Sequence, residues 1–281
     1  MIILMTLLTF LLAWLGSAAV ALVILRNGFT AATGTFMLVL LPVSIAAYAG
    51  NVVPLSTLLC SSLLASVLRN TRSWPIVLTI LPFVIGLWAI TFLAFGREYL
   101  DQLLVIGQQG VDLFKEQLEI AAAKGESQEA VEQIIAQMPP LTLEHMLGRL
   151  GIAQLLLTLM ALFTARWWQA VKYNPGGFQK EFHQLRLQRV SVLVLVAGLV
   201  LLSNYSGYEQ WAWFFAMPII IAGIALVHGL VEIKKLGSQW LVFFYVFFTV
   251  FALAVPLLMM VVIADSALDF RARVTRDQTN D

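Results

Sequence analysis

One ionisable side chain approaches the interior of a long apolar stretch: His228, in Val227-His228-Gly229-Leu230-Val231-Glu232. An i, i+4 spacing puts His228 and Glu232 on one helix face. Such a pair could hold a proton or a polar ligand where the membrane thins into water. The plainer expectation is an interfacial histidine satisfied by Glu232, water or backbone, because His228 stands only about 9 Å along a helix from Lys234. A second polar cluster gathers Tyr48, Asn51, Ser56, Thr57, Cys60, Ser61 and Ser62 around Gly50 and Pro54. Irregular backbone and hydroxyls at membrane depth need protein or a cavity around them. Asn204 ends another apolar stretch on the same side, so Tyr48, Asn51 and Asn204 could line an outward-facing pocket for a small molecule. The alternative is a tight turn followed by a small-residue packing face.

Two further features point to docking rather than to ligands. Ala13, Ser17 and Ala21 form a stripe of small residues on the first helix, which suits close helix packing or a membrane partner. A basic block carries Trp167 and Trp168 at a helix end, then the turn Asn174-Pro175-Gly176-Gly177, then Glu181-Phe182-His183-Gln184-Leu185-Arg186-Leu187. It reads as a headgroup anchor or as a docking site for a cytoplasmic protein. Catalytic chemistry has little to stand on. The sequence holds no GxxxxGK[ST], HExxH or GxSxG. Three histidines and one cysteine are scattered, so no metal site or cofactor is expected. The expected chain is not an enzyme.

The elements that must position these residues follow from composition. Apolar residues make up 60% of the 281 positions and charged residues 12%, far from the globular norm. A nucleic-acid binder would need a basic face, and the net charge here is only +1. Long uncharged runs exceed the roughly 18–20 residues that a bilayer core requires. They predict an all-α, polytopic transmembrane bundle of about eight spans. Residues 1–96 carry spans one to four, with 29–68 folded as two helices. A segment at 97–146 follows, then spans five to eight at 147–264, the last from Trp240 to Ala264, and a polar tail at 265–281. No Asp, Glu, Lys or Arg is expected inside a span. Six tryptophans (Trp74, Trp167, Trp168, Trp211, Trp213 and Trp240) sit at the span edges, as headgroup-seeking rings do.

Ten Lys and Arg fall in alternate short connections, including the 166–189 loop, and none in the others. Positive-inside statistics place those ten in the cytoplasm and the N-terminus outside. An even span count would leave Arg271, Arg273 and Arg276 outside, which keeps seven or nine spans open. Residues 97–146 form an acidic extracytoplasmic insert with helical apolar spacing, interrupted at Lys124-Gly125-Glu126-Ser127 and ended by Pro139-Pro140. Its stripes are expected to pack onto the bundle, with the membrane surface, each other or a partner as alternatives.

The Arg166-Trp167-Trp168-Gln169-Ala170 run, the Tyr173-Asn174-Pro175-Gly176-Gly177-Phe178 turn and Glu181–Leu187 resemble the proteobacterial branch of the YybS-like family of predicted inner-membrane proteins. The resemblance extends over most of the chain. That family is in turn remotely similar to the substrate-binding components of energy-coupling-factor transporters, which dock through a small-residue stripe like Ala13, Ser17 and Ala21. The resemblance implies a bacterial inner-membrane protein that binds or helps transport a small molecule of unknown identity. The alternative is a non-catalytic scaffold or assembly factor acting on membrane or cytoplasmic protein partners through the insert and the basic loop.

Overall fold

The computed structural model describes residues 9–123, 127–138 and 141–280. The insert's break at 124–126 and its terminator at 139–140 lie outside them, as do the first eight residues. Among the described residues all regular structure is helical. The elements are α1 (Thr9–Asn27), α2 (Phe29–Tyr48), α3 (Val53–Thr71), α4 (Trp74–Phe95), α5 (Arg97–Ala123), α6 (Gln128–Ala136) and α7 (Leu143–Tyr173). They continue with α8 (Gly177–His183), α9 (Arg189–Ser203), α10 (Ala212–Ile233, entered through a 3-10 turn), α11 (Gln239–Val250), α12 (Ala254–Leu268) and α13 (Phe270–Asn280). Six of them, α1–α4, α7 and α10, are long and apolar enough to cross a membrane, and α9, α11 and α12 are shorter apolar helices. The chain is therefore an all-α bundle of a multi-pass membrane protein.

The mast of the bundle is α7, whose 31 residues reach about 46 Å at 1.5 Å per residue. Thr142 caps it, its hydroxyl accepting from the His145 N–H. Helices α1, α3, α4 and α10 pack around α7, and α9 and α12 pack on α10. Small residues permit this closeness. Ala13, Ser17 and Ala21 are all buried in the core, which corrects their expected role in docking a partner: the stripe faces its own bundle. By contrast α2 buries only Ala32 and Val43, and α11 buries nothing, so both turn apolar side chains outward.

The stretch read as one span from Trp240 to Ala264 is two helices. Residues 251–253 turn the chain between α11 and α12, which at 12 and 15 residues extend only about 18 and 22 Å. Leu258 packs against Gly223 and Arg271 against Gly229, so the chain runs back along α10. The first residues of the polar tail, 265–273, end α12 and start α13 against the basic end. Asp265 and Ser266, just past the expected end of the last span, are buried in the last turn of α12. Arg271 meets the backbone of the basic loop.

This return puts thirteen of the seventeen Lys and Arg at one end of the bundle, called the basic end below. Cysteine labelling tests it, because native Cys60 is buried. An impermeant maleimide should reach Lys172→Cys and Arg276→Cys from one face of the membrane and Ser127→Cys from the other. Labelling of Arg276→Cys together with Ser127→Cys would show that the hairpin instead crosses.

Two tryptophans depart from the edge-anchor expectation. Trp74 and Trp211 are buried and hydrogen-bonded, to Glu181 and to the Glu144 carbonyl, whereas Trp167, Trp213 and Trp240 are exposed. The insert departs too. Its α5 buries only Leu100 and its α6 only Val131, leaving Ile106, Leu113, Phe114 and Ile120 uncovered by the bundle.

Candidate functional site

The residues first singled out as an outward pocket do not converge. Tyr48 is 97% exposed. The Asn51 carboxamide accepts from the Val53 N–H at 3.2 Å, a turn device that starts α3. The Asn204 amide donates to the Val200 carbonyl at the end of α9. Two hydroxyls of the second cluster bond back to their own helix, Thr57 to the Val53 carbonyl and Ser61 to that of Leu58, whereas the buried Ser62 hydroxyl has no partner among the described residues. One polar feature that sequence reading missed lies below them. Buried Gln154 of α7 accepts from Ser56 at 2.9 Å and donates to Thr57 and Thr158 at 3.3 and 3.2 Å. Both ends of its carboxamide are engaged, so this network holds α3 to α7 rather than awaiting a ligand.

At the basic end, His228 and Glu232 also separate. His228 Nε2 bonds to the Tyr245 hydroxyl at 2.9 Å, and Glu232 pairs with Nδ1 of His183 in α8. The expected i, i+4 pair is corrected: a residue 49 positions away takes the carboxylate. His183 and His228 rings lie 5.8 Å apart, and Phe182 meets His228 edge-on. Among the described residues no three His, Cys, Asp or Glu gather to hold a metal.

Of the docking candidates, Trp167, Asn174, Pro175 and Gly176 are exposed, Trp168 is half-buried, and Gly177 is buried beneath Asn174. Gly176 takes φ +77°, a left-handed turn position that glycine adopts without strain.

The same loop closes a cavity of about 990 Å³. Its walls are the end of α1 (Leu25, Arg26), the α3–α4 link (Leu68 to Pro75), α7 (Arg166, Gln169) and the stretch Glu181, Gln184, Leu185. Four arginines line it, three of them held. Arg166 forms a fork with the Glu181 carboxylate, which also accepts from Trp74 Nε1 at 3.3 Å, and a further bond to Gln169. Arg69 donates to the Leu25 carbonyl at 2.8 Å and so caps α1. Arg26 bonds to the Tyr173 hydroxyl, its guanidinium carbon 4.3 Å from the ring centroid. Arg72 ends α3 in the left-handed region at φ +52°, exposed at the cavity rim. The rings of Trp74, Phe163, Phe178 and Phe182 fasten α8 beneath this wall.

Beside the basin the chain clasps its own end. Arg186 donates to the Asp265 and Ser266 carbonyls, Arg189 to that of Ala267 and Arg273 to that of Leu268. Three guanidinium groups thus reach the last four carbonyls of α12, where the Asp265 carbonyl also accepts from the Asp269 N–H and the other three are groups a helix end leaves without intrahelical partners. Burial draws the Arg271 guanidinium below its ordinary value, and Asp265 and Asp269 pull it back up.

Sequence reading counted Arg26, Arg69 and Arg72 only as topology signals. Their isolation from other charges, at two span ends on one side, was the available clue. Fold and site together define a membrane-embedded helical bundle with a polar, arginine-lined basin at one end. No family model, curated protein or solved structure matches the chain.

Proposed function

We propose that this protein is a non-catalytic binding component of a bacterial cytoplasmic membrane, and that it receives an anionic small molecule or headgroup in the basin. The observation that carries this reading is the 990 Å³ cavity, at the upper end of the roughly 300–1,000 Å³ typical of ligand sites. Three of its four arginines are fixed by neighbours before any ligand arrives, the preorganisation that lowers the cost of binding. Positive-inside statistics orient the basic end toward the cytoplasm and the acidic insert and N-terminus outward. The ligand therefore comes from the cytoplasm or the inner leaflet. The resemblance to YybS-like proteins and to transporter binding components belongs to the same reading.

Native mass spectrometry of protein released from lipid nanodiscs, with membrane extract added back, tests it. One adduct of defined mass should accompany the intact protein and vanish from an Arg69→Gln/Arg72→Gln variant of equal abundance. Adduct-free spectra of the intact protein defeat the reading.

A second reading, a membrane scaffold, is favoured by one observation: the uncovered apolar face of α5, where Ile106, Leu113 and Ile120 recur every seven residues. The basin does not call for such a role, and the binding reading uses more of what the bundle builds.

A further inference from the structure

We infer that the group seated in the basin is a phosphoryl group, carried by a molecule larger than inorganic phosphate. This rests on the binding reading above and adds the ligand's chemistry. The first ground is residue type. All four cations lining the basin are arginine, although Lys172, Lys180, Lys234 and Lys235 stand at the same end outside it. Positive-inside anchoring is served equally by lysine. A planar fork of five N–H donors suits bidentate oxyanions, carboxylates and phosphoryl groups alike, and charge divides the two.

Charge gives the second ground. Against four arginines the lining holds one carboxylate, Glu181, already paired with Arg166. Helices α1 and α3 end at the basin, each bringing about −0.5 charge, and α4 starts there with about +0.5. The excess is roughly two to three positive charges, which a monocarboxylate leaves uncompensated and a phosphoryl dianion or diphosphate meets.

Geometry supplies the third. Arg69 and Arg26 each use one terminal nitrogen on the protein, so their remaining N–H groups stay available. The start of α4 adds a helix N-terminus to the same wall. Arg72 stands at the mouth with its backbone in the left-handed region, where glycine is the unstrained residue. Buried Leu25, Leu68, Trp74 and Leu185 give the cavity apolar patches beside the arginines, and its volume exceeds what one phosphate fills. The remainder of the ligand is thus partly apolar, as in a phosphate ester or a phospholipid.

The full chain in phosphatidylcholine nanodiscs should be titrated calorimetrically with pyrophosphate and, separately, with citrate as a trianion without phosphorus. Nanodiscs with added phosphatidic acid should be analysed by native mass spectrometry. Saturable pyrophosphate binding, at least tenfold tighter than citrate and weakened at least tenfold by Arg72→Gln but not by Lys234→Gln, identifies a soluble phosphoryl ligand. A single retained phosphatidic acid, lost from Arg72→Gln, identifies the lipid headgroup. Both results support the inference. Citrate binding as tight as pyrophosphate, or no phosphoryl binding while the extract-derived adduct persists, overturns the phosphoryl assignment and leaves the binding reading standing. Absence of both probe binding and adduct overturns the two together.

Discussion

Replacing Gly229 with alanine is expected to unfold the basic end of the bundle, at a cost of about 3 kcal/mol, the upper part of the usual range for overpacking. An added Cβ would stand 2.5 Å from the His183 carbonyl oxygen, inside any real contact distance. That neighbour is backbone, so no rotamer change relieves the clash, and α8 must move off α10. The His183 carbonyl also accepts from Arg271 at 3.1 Å, so the displacement reaches α13. The matched control is Gly34→Ala. Gly34 sits in α2, exposed, with nothing within 4 Å of the added atom, and the change should stabilise the helix by about 0.5–1 kcal/mol. Thermal unfolding in detergent, followed by circular dichroism, reads both. A Gly229→Ala protein as stable as the parent would mean that α8 and α10 are not in contact.

The local signals in the sequence carried the fold well where chemistry changes sharply along the chain. Charges at Arg26, Arg69 and Arg72 mark the ends of α1 and α3, and Gly50 and Asn51 mark the turn between α2 and α3. The α11–α12 hairpin escaped because Phe251-Ala252-Leu253 turns without a charge or a glycine. An apolar run bent back on itself has the same hydropathy as one that crosses. Long-range pairing escaped for a different reason. Periodicity joined His228 to Glu232, yet Glu232 finds His183 and His228 finds Tyr245, partners brought near only by packing. The basin was illegible on the same ground. Arg26, Arg69 and Arg72 read as boundary markers and Arg166 as part of a headgroup anchor, and only the meeting of α1, α3, α7 and α8 turns the four into one cavity.

The segment that closes this cavity is also the one that grips the chain's end, and this ties stability to binding. From 181 to 186 its side chains divide between two surfaces. Glu181, Gln184 and Leu185 line the basin, whereas His183 and Arg186 reach Glu232, Asp265 and Asp269. Asp265→Ala should therefore act at both. Its side chain is 4% exposed, its Oδ1 accepts from the Phe270 N–H at 2.9 Å, and its Oδ2 lies 3.8 Å from both Arg186 and Arg271. Removing one member of a buried charge cluster costs about 3–5 kcal/mol. The lower figure applies here, because Arg186 keeps Asp269 and the α12 carbonyls. Asp265→Asn retains an oxygen for the Phe270 N–H and should cost about 2 kcal/mol, since the neutral hydrogen bond it keeps contributes roughly 1 kcal/mol of the total. Arg186 stays on Asp269 but loses its second carboxylate, so the wall that carries Gln184 and Leu185 is held less firmly. Pyrophosphate binding should weaken about tenfold in the folded Asn variant, an effect of about 1.4 kcal/mol, although Asp265 does not line the basin. Unchanged binding in a destabilised Asn variant would show that the clasp holds the chain's end without shaping the site.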